Sequence, residues 1–202
     1  MNVGVLASGT GTNLQALIDR AHGRNGVVVR AVASDRPDAR ALSRGRESGI
    51  ESEVFMREAF ADREARDAAM AGWLRDRDVE LVVLAGYMQL VSDTFLAAFP
   101  DRVINVHPAL LPAFPGLAAV QQALDYGVKV FGVTVHFVDG GVDTGPVILQ
   151  RAVELPEATD AEAVLERLHP VEHELLVEAV RLIARGAVGL DPANPRRVVI
   201  AR

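Results

Sequence analysis

The sequence of 202 residues contains no cysteine. This absence excludes disulfide bonds, thiolate catalysis and any zinc or iron–sulfur site with cysteine ligands. The net charge is −6 and no basic block occurs, which argues against general affinity for nucleic acid or anionic membranes. No apolar run approaches the roughly 18 residues that span a bilayer. The amino-terminal sequence MNVGVLASG also lacks the basic region of a secretory signal, so we expect a cytoplasmic protein.

Half of the residues are hydrophobic, which indicates a globular protein with a full core. Short β-branched runs alternate with helical patterns in the first half of the chain. Four of these runs read as strands: VGVLA (3–7), VVVRAVA (27–33), VELVVLA (79–85) and RVINV (102–106). The alternation predicts an α/β fold, a Rossmann-like open sheet that is parallel in the N-terminal half and has helices on both faces.

The pattern changes after residue 106, where VKVFGVTVHFV (128–138) and GPVILQRAVEL (145–155) are joined by a short loop. Two strands so closely spaced predict a sheet that becomes mixed toward the C terminus. A last helical region follows at 160–185, with Thr159 and Glu162 in capping-box spacing. Pro170 inside this region is expected to kink or split the helix. The tail is expected to end in a short edge strand.

A glycine-rich turn, SGTGTN, lies between the first strand and the first helix. G-x-G followed by Asp35 at the end of the second strand is typical of a dinucleotide site, but Leu14 stands where the third glycine belongs. Backbone N–H groups at a helix N-terminus can instead bind a single phosphate. That hypothesis assigns the phosphate to Gly11, Thr12 and Asn13. The alternative is that the glycines only form a tight turn.

The stretch VINVHPALLPAFPG (103–116) ends a strand with Asn105 and His107 and continues with three prolines. The carboxyl edge of a parallel sheet is where α/β folds bind ligands. Residues two apart in a strand point to the same side, and both side chains can donate hydrogen bonds to an oxyanion. Each proline fixes its own φ and restricts the residue before it, so the chain that follows the strand is stiff. The stretch therefore predicts two donors held in place before charge develops.

The loop VDGGVDTGPV (138–147) supplies the carboxylates that could orient His107. Asp143 is the preferred partner, because the glycines at 140, 141 and 145 would let its backbone approach a ligand closely. Asp139 is expected to cap the turn. Of the other histidines, His136 is interpreted as a structural strand residue and His22 as a solvated helix end.

At these residues the chain resembles the glycinamide ribonucleotide formyltransferases, a branch of the folate-dependent formyltransferase family. The resemblance rests on VLASGTGTNLQAL, VVLAGYMQLV, INVHPALLPAFPG and GVTVHFVDGGVDTGPVILQ. It implies formyl transfer from 10-formyltetrahydrofolate to the amine of glycinamide ribonucleotide in purine biosynthesis, without a metal, by a monomer or homodimer. The length of the chain and the lack of a linker predict one domain, 1–202, and the resemblance implies a phosphate-binding half (1–100) and a catalytic, folate-binding half (101–202).

The resemblance also implies three groups of site residues. The catalytic trio is Asn105, His107 and Asp143. The acceptor would contact Gly11, Thr12, Asn13, Glu172 and His169. The folate would contact Arg63, Met88, Gln89, Leu90, Val91, Asn105, Asp139, Gly140, Gly141, Val142 and Asp143. Two departures stand out: many relatives carry Arg where this chain has Gln89, and an uninterrupted helix where it has Pro170.

The implied mechanism is attack of a neutral amine on the formyl carbon, with the oxyanion bound by Asn105 and protonated His107. Asp143 would favour the protonated imidazole and organise a water that relays protons. Within this chemistry the alternatives are a methionyl-tRNA formyltransferase or a formyltetrahydrofolate hydrolase, each expected to need a further domain for which 202 residues leave no room. Outside it, the alternatives are a nucleotide-binding oxidoreductase or a silent binding module.

Overall fold

The computed structural model describes residues 1–201. The chain forms two compact units, Met1–Asn105 and a second that begins at Val106. In the described part of the chain, none of the helices is both long and apolar enough to cross a membrane.

The first unit contains a parallel sheet with the strand order β3-β2-β1-β4-β5. Its strands are β1 Asn2–Leu6, β2 Val28–Ser34, β3 Glu51–Val54, β4 Leu81–Leu84 and β5 Val103–His107, of which β5 continues into the second unit. Every residue of β4 is buried, as expected for an apolar strand between two neighbours.

Helices connect these strands, and α2 packs on β2 and β3. The helices of the first unit are α1 Thr12–Arg20, α2 Arg40–Glu47, α3 Arg63–Arg75 and α4 Asp93–Ala98, with one 3₁₀ turn at Arg57–Ala59. Side chains cap two of them: Asp62 accepts the N–H of Ala65 in α3, and Ser92 accepts that of Phe95 in α4. Only six residues long, α4 was not predicted from the sequence.

The second unit has a mixed arrangement of strands. Its elements are α5 Ala119–Tyr126, β6 Val130–Phe137, β7 Val147–Glu154, α6 Ala161–Ala184, β8 Val188–Asp191 and β9 Asn194–Ile200. β6 and β7 are antiparallel, β9 runs parallel to β7, and β8 is antiparallel to β9. The α/β fold, parallel first and mixed toward the C terminus, is thus confirmed, although the tail forms two strands where one was expected.

Helix α6 differs from its prediction in two details. Its N-cap is Asp160, whose carboxylate accepts the N–H of Ala163 at 2.7 Å, so the predicted cap at Thr159 is wrong. The helix also continues through Pro170 without being split. Proline removes one internal hydrogen bond, but Leu168 and Leu175 are buried on either side of it and α6 packs on β6 and β7. Tertiary packing therefore holds the helix together across the proline.

Candidate active site

Strand β5 carries Asn105 and His107 on the same side, because they lie two residues apart in extended backbone. The chain behind them is fastened to β6 as well as stiffened by proline. The Thr134 hydroxyl donates to the carbonyl of Ala109 at 2.6 Å and accepts the N–H of Leu111 at 3.1 Å. The segment that follows His107 is therefore held by hydrogen bonds that the proline pattern alone did not reveal.

Both ring nitrogens of buried His107 face oxygen acceptors. Nδ1 lies 3.4 Å from Oδ2 of Asp143, and Nε2 lies 2.8 Å from the carbonyl oxygen of Phe114. A carboxylate and a carbonyl oxygen can only accept hydrogen bonds, so both contacts fix the orientation of the ring through its nitrogens. The predicted pairing of His107 with Asp143 is present in the structure.

Asp143 binds more than His107. Its Oδ2 accepts the N–H of Gly116 at 2.7 Å, and its Oδ1 lies 3.5 Å from Nε2 of His136. Burial raises the pKa of this carboxyl, but hydrogen bonding by His136 and Gly116 and the attraction of His107 outweigh it, so the pKa lies below its usual value. Asp143 is therefore an ionised carboxylate between two histidines.

The lowered pKa of Asp143 predicts how stability depends on pH. The ionised form stabilises the folded state fully above the unfolded pKa of about 3.9, and this stabilisation is lost as pH falls through the lower folded pKa. We expect the free energy of unfolding in urea to fall more steeply for the native protein than for Asp143→Asn on acidification from about pH 5 to about pH 2. Parallel curves for the two proteins would contradict this linkage.

Asp139 and two glycines shape the loop that joins β6 and β7. Asp139 caps the turn as predicted, since its Oδ1 accepts the N–H of Gly141 at 3.1 Å and the hydroxyl of Thr144 at 2.6 Å. A Cβ on Gly141 would lie 2.0 Å from that hydroxyl, and one on Gly145 would lie 1.8 Å from the carbonyl oxygen of Phe137. These two glycines are thus required by packing inside the loop, and their role in the close approach of a ligand stays a prediction.

Sequence reasoning missed two residues that contact His107 or Asp143 and gave too little weight to a third. Phe114 and Gly116 act through backbone atoms, which side-chain patterns cannot reveal. The strand pattern predicts a structural role for His136, yet this side chain contacts Asp143, and its Nδ1 lies 2.7 Å from the carbonyl oxygen of Phe137. His136 lies near the end of β6, just before the loop that carries Asp143, and this position could have indicated a role in the site. His22, expected to be solvated, is half-buried and accepts the N–H of Val29 at 3.1 Å.

The glycine turn of the first unit opens α1. Gly11 is the N-cap with φ 70° and ψ 32°, and a Cβ there would lie 2.8 Å from Cα of Ala41 in α2. Thr12 and Asn13 form the first turn of the helix, where backbone N–H groups point outward from the N-terminus. Gly11 is therefore required by the turn itself, and the phosphate role of the three residues stays a prediction.

Asp35, the residue that suggested a dinucleotide site, has partners on both oxygens. Oδ1 accepts the hydroxyl of Ser8 at 2.5 Å, and Oδ2 accepts the side-chain amide of Gln89 at 3.1 Å. In this arrangement the carboxylate joins the turn after β1 to the segment after β4. A ribose hydroxyl would have to compete with both contacts.

The four residues Met88–Val91 lie in irregular backbone between β4 and α4. Met88 and Leu90 expose 57% and 56% of their surface, which is unusual for side chains so apolar. Arg63 begins α3 and forms an exposed ion pair with Glu64, 3.3 Å between nitrogen and oxygen. The segment thus combines exposed apolar side chains with backbone groups outside regular structure.

The two predicted acceptor residues in α6 have different surroundings. Glu172 is buried, whereas His169 is half-buried and stacks on His173 with ring centroids 6.4 Å apart. Among residues 1–201, no cluster of three or more histidine, aspartate or glutamate side chains could hold a metal ion.

Comparison with known proteins gives the family. The chain matches the formyl transferase family over residues 1–180. It is 43% identical over 171 residues to the phosphoribosylglycinamide formyltransferase of Bacillus subtilis (strain 168), covering 84% of this chain and 88% of that protein. It is 42% identical over 194 residues to the trifunctional purine biosynthetic protein adenosine-3 of Drosophila melanogaster, covering 94% of this chain and 14% of that protein.

Solved structures agree with these matches. Glycinamide ribonucleotide transformylase 1 from Symbiobacterium toebii matches with a TM-score of 0.95 and 48% identity, over 100% of this chain and 94% of that one. Because this match covers the whole chain at 48% identity, it indicates a family relationship and not only a shared fold. The chain therefore belongs to the formyl transferase family.

Proposed function

We propose that this protein transfers the formyl group of 10-formyltetrahydrofolate to the amine of glycinamide ribonucleotide, in the cytoplasm, as a step of purine biosynthesis. The products are formylglycinamide ribonucleotide and tetrahydrofolate. The observation that carries the proposal is the contact of Asp143 with His107 at the end of the strand that bears Asn105. The names of the relatives support formyl transfer to glycinamide ribonucleotide.

The proposed chemistry follows from these three side chains. The amine nitrogen attacks the formyl carbon, and the carbonyl oxygen becomes an oxyanion that accepts hydrogen bonds from Asn105 and from protonated His107, one of whose N–H groups must exchange its present acceptor for the oxyanion. The bond from the formyl carbon to the folate nitrogen then breaks. The proton lost by the amine passes, through a water held by Asp143, to that departing nitrogen.

The acceptor is proposed to place its phosphate on the N–H groups of Gly11, Thr12 and Asn13, with Glu172 and His169 as further contacts. The positive end of the α1 dipole favours an anion there. The engaged carboxylate of Asp35 supports a lone phosphate over a dinucleotide.

The folate is proposed to contact Met88–Val91 and the residues 139–143 of the loop between β6 and β7, with Arg63 as a cation for its acidic tail. Exposed apolar side chains support this assignment, because contact with the folate would remove the side chains of Met88 and Leu90 from water. Gln89 offers no charge to the tail and already donates to Asp35.

The test is a spectroscopic assay of tetrahydrofolate release with glycinamide ribonucleotide as the acceptor. We expect release that depends on both substrates. Release without an acceptor would indicate a hydrolase, and binding of NAD in place of the folate would indicate the oxidoreductase alternative.

Replacing Gly11 tests the phosphate assignment. Gly11→Ala forces a Cβ into a left-handed residue and against α2, so the turn must shift. We expect the KM of the acceptor to rise about tenfold or more, while the KM of the folate stays nearly unchanged. Initial rates with each substrate varied in turn give both constants.

Gly9→Ala is the matched control, because a Cβ on Gly9 would meet no atom within 4 Å. It is expected to leave both constants unchanged. Equal rises of both KM values in Gly11→Ala would contradict the assignment.

A further inference from the structure

Side chains of α3 hold the backbone at the carboxyl end of the segment Met88–Val91. Oδ2 of Asp67 accepts the N–H of Ser92 at 2.6 Å, and Nη2 of Arg66 lies 3.5 Å from the carbonyl oxygen of Leu90. These two contacts lie on either side of Val91. Two neighbouring residues of one helix thus bind two backbone atoms of an irregular segment.

The other end of the segment is also fixed. The N–H of Met88 donates to the Ser8 hydroxyl at 2.9 Å, and that hydroxyl donates to Asp35. Contacts from residues distant in sequence therefore hold the segment at both ends, although Met88 and Leu90 themselves are exposed.

Arg66 and Asp67 form an ion pair inside the core of the first unit. They expose 1% and 0% of their surface, and Nε and Nη2 of Arg66 donate to Oδ1 of Asp67 at 2.9 and 2.7 Å. Buried ion pairs are often no more stabilising than apolar residues of similar volume. Stability alone is thus a weak reason for this pair, whereas its contacts to Leu90 and Ser92 give it a specific task.

We infer that Arg66 and Asp67 are positioning residues for the formyl donor. They keep the backbone of Met88–Val91 in one conformation, so that the donor does not have to order the segment when it binds. The inference rests on the proposed function, since it takes Met88–Val91 as part of the donor site. Neither residue needs to touch the donor.

Asp67→Asn tests the inference. The variant removes the charge and leaves one acceptor oxygen for two donors, Arg66 and the N–H of Ser92. We expect the KM of the formyl donor and the Kd of a folate analogue to rise about tenfold. The KM of glycinamide ribonucleotide should stay nearly unchanged.

Glu51→Gln is the matched control. Nε and Nη2 of Arg77 donate to Oε2 of Glu51 at 2.9 and 2.7 Å, the same fork geometry as in the core pair. The Glu51 side chain is 66% exposed, and the pair does not hold the segment. This variant is expected to keep all three constants.

A purely structural role gives a different result. Loss of stability reduces the fraction of active protein and lowers apparent kcat, but leaves each KM and the Kd unchanged. A lower kcat with native KM and Kd values therefore overturns the inference. Equal rises of both KM values also overturn it. If Asp67→Asn does not fold, Arg66→Met combined with Asp67→Asn leaves no unpaired charge in the core. A native donor KM in this double variant overturns the inference, and a raised one supports it.

Titration of the native protein and the variants with the folate analogue separates failure of the inference from failure of the proposed function. If the native protein fails to bind the folate analogue, the proposed function is wrong and the inference falls with it. If the native protein and the variants all bind it equally well, the inference alone is wrong.

Discussion

Asp143→Asn is expected to lower kcat about a hundredfold or more, with both KM values close to native. The substitution keeps the shape of the side chain and removes the charge that faces His107 and His136. Asparagine also tolerates the left-handed backbone that Asp143 adopts at φ 53°, so the loop should keep its conformation. Steady-state kinetics and thermal unfolding of the same preparation measure the two effects separately.

The exposed Asp125 of α5 provides a control, because its carboxylate accepts a hydrogen bond from the side chain of Gln121 on the surface of the same helix. Asp125→Asn should keep native kcat. A near-native kcat in Asp143→Asn would remove the carboxylate from the mechanism, and a larger loss in Asp139→Asn would transfer its role to that residue. If Asp143→Asn mainly loses stability, the carboxylate serves its turn and not the reaction.

Asn105→Ala is expected to lower kcat by about 10² to 10³, the usual effect of removing one donor to an oxyanion. Asn105→Asp should lose at least as much, because it replaces the donor with a negative charge beside the developing oxyanion. Measurements of kcat and both KM values distinguish this role from substrate binding. A raised KM with native kcat would show that Asn105 binds the ground state and transition state equally well.

Asn194→Ala is a control for the loss of an asparagine. Asn194 begins β9 and accepts the N–H of Arg196 within the tail, far from Asn105 in the sequence. We expect native kinetics and a small loss of stability from this variant.

Hydrophobic periodicity was sufficient to locate the main strands and helices. β4 is wholly apolar, β5 is apolar except for Asn105 and His107, and both strands lie within two residues of their predicted positions. Short helices were missed, because α5 spans only two turns and its sequence, AVQQALDY, follows a proline-rich stretch that indicates loop. Local patterns thus fail where an element is too short to show a period.

The site was predictable where side chains supply it and unpredictable where backbone does. Asn105, His107 and Asp143 could be selected from residue type and position. The contacts of the Phe114 carbonyl with His107 and of the Gly116 N–H with Asp143 could not, because they depend on how the chain after β5 folds back. Arg66 and Asp67 are side chains, but the sequence did not predict their role either. In a helix as charged as REARDAAMAGWLR they suggest a solvated face, and only tertiary packing reveals that they are buried.

The left-handed backbone at Asp143 limits which mutations this position can accept. Glycine, asparagine and aspartate adopt this conformation most easily, and of these only aspartate carries a carboxylate. Glutamate would preserve charge but not the preferred backbone, and asparagine would preserve the backbone but not charge. In a saturation library, selection for folding should therefore retain Gly, Asn and Asp at 143, while selection for growth without purines should retain Asp alone.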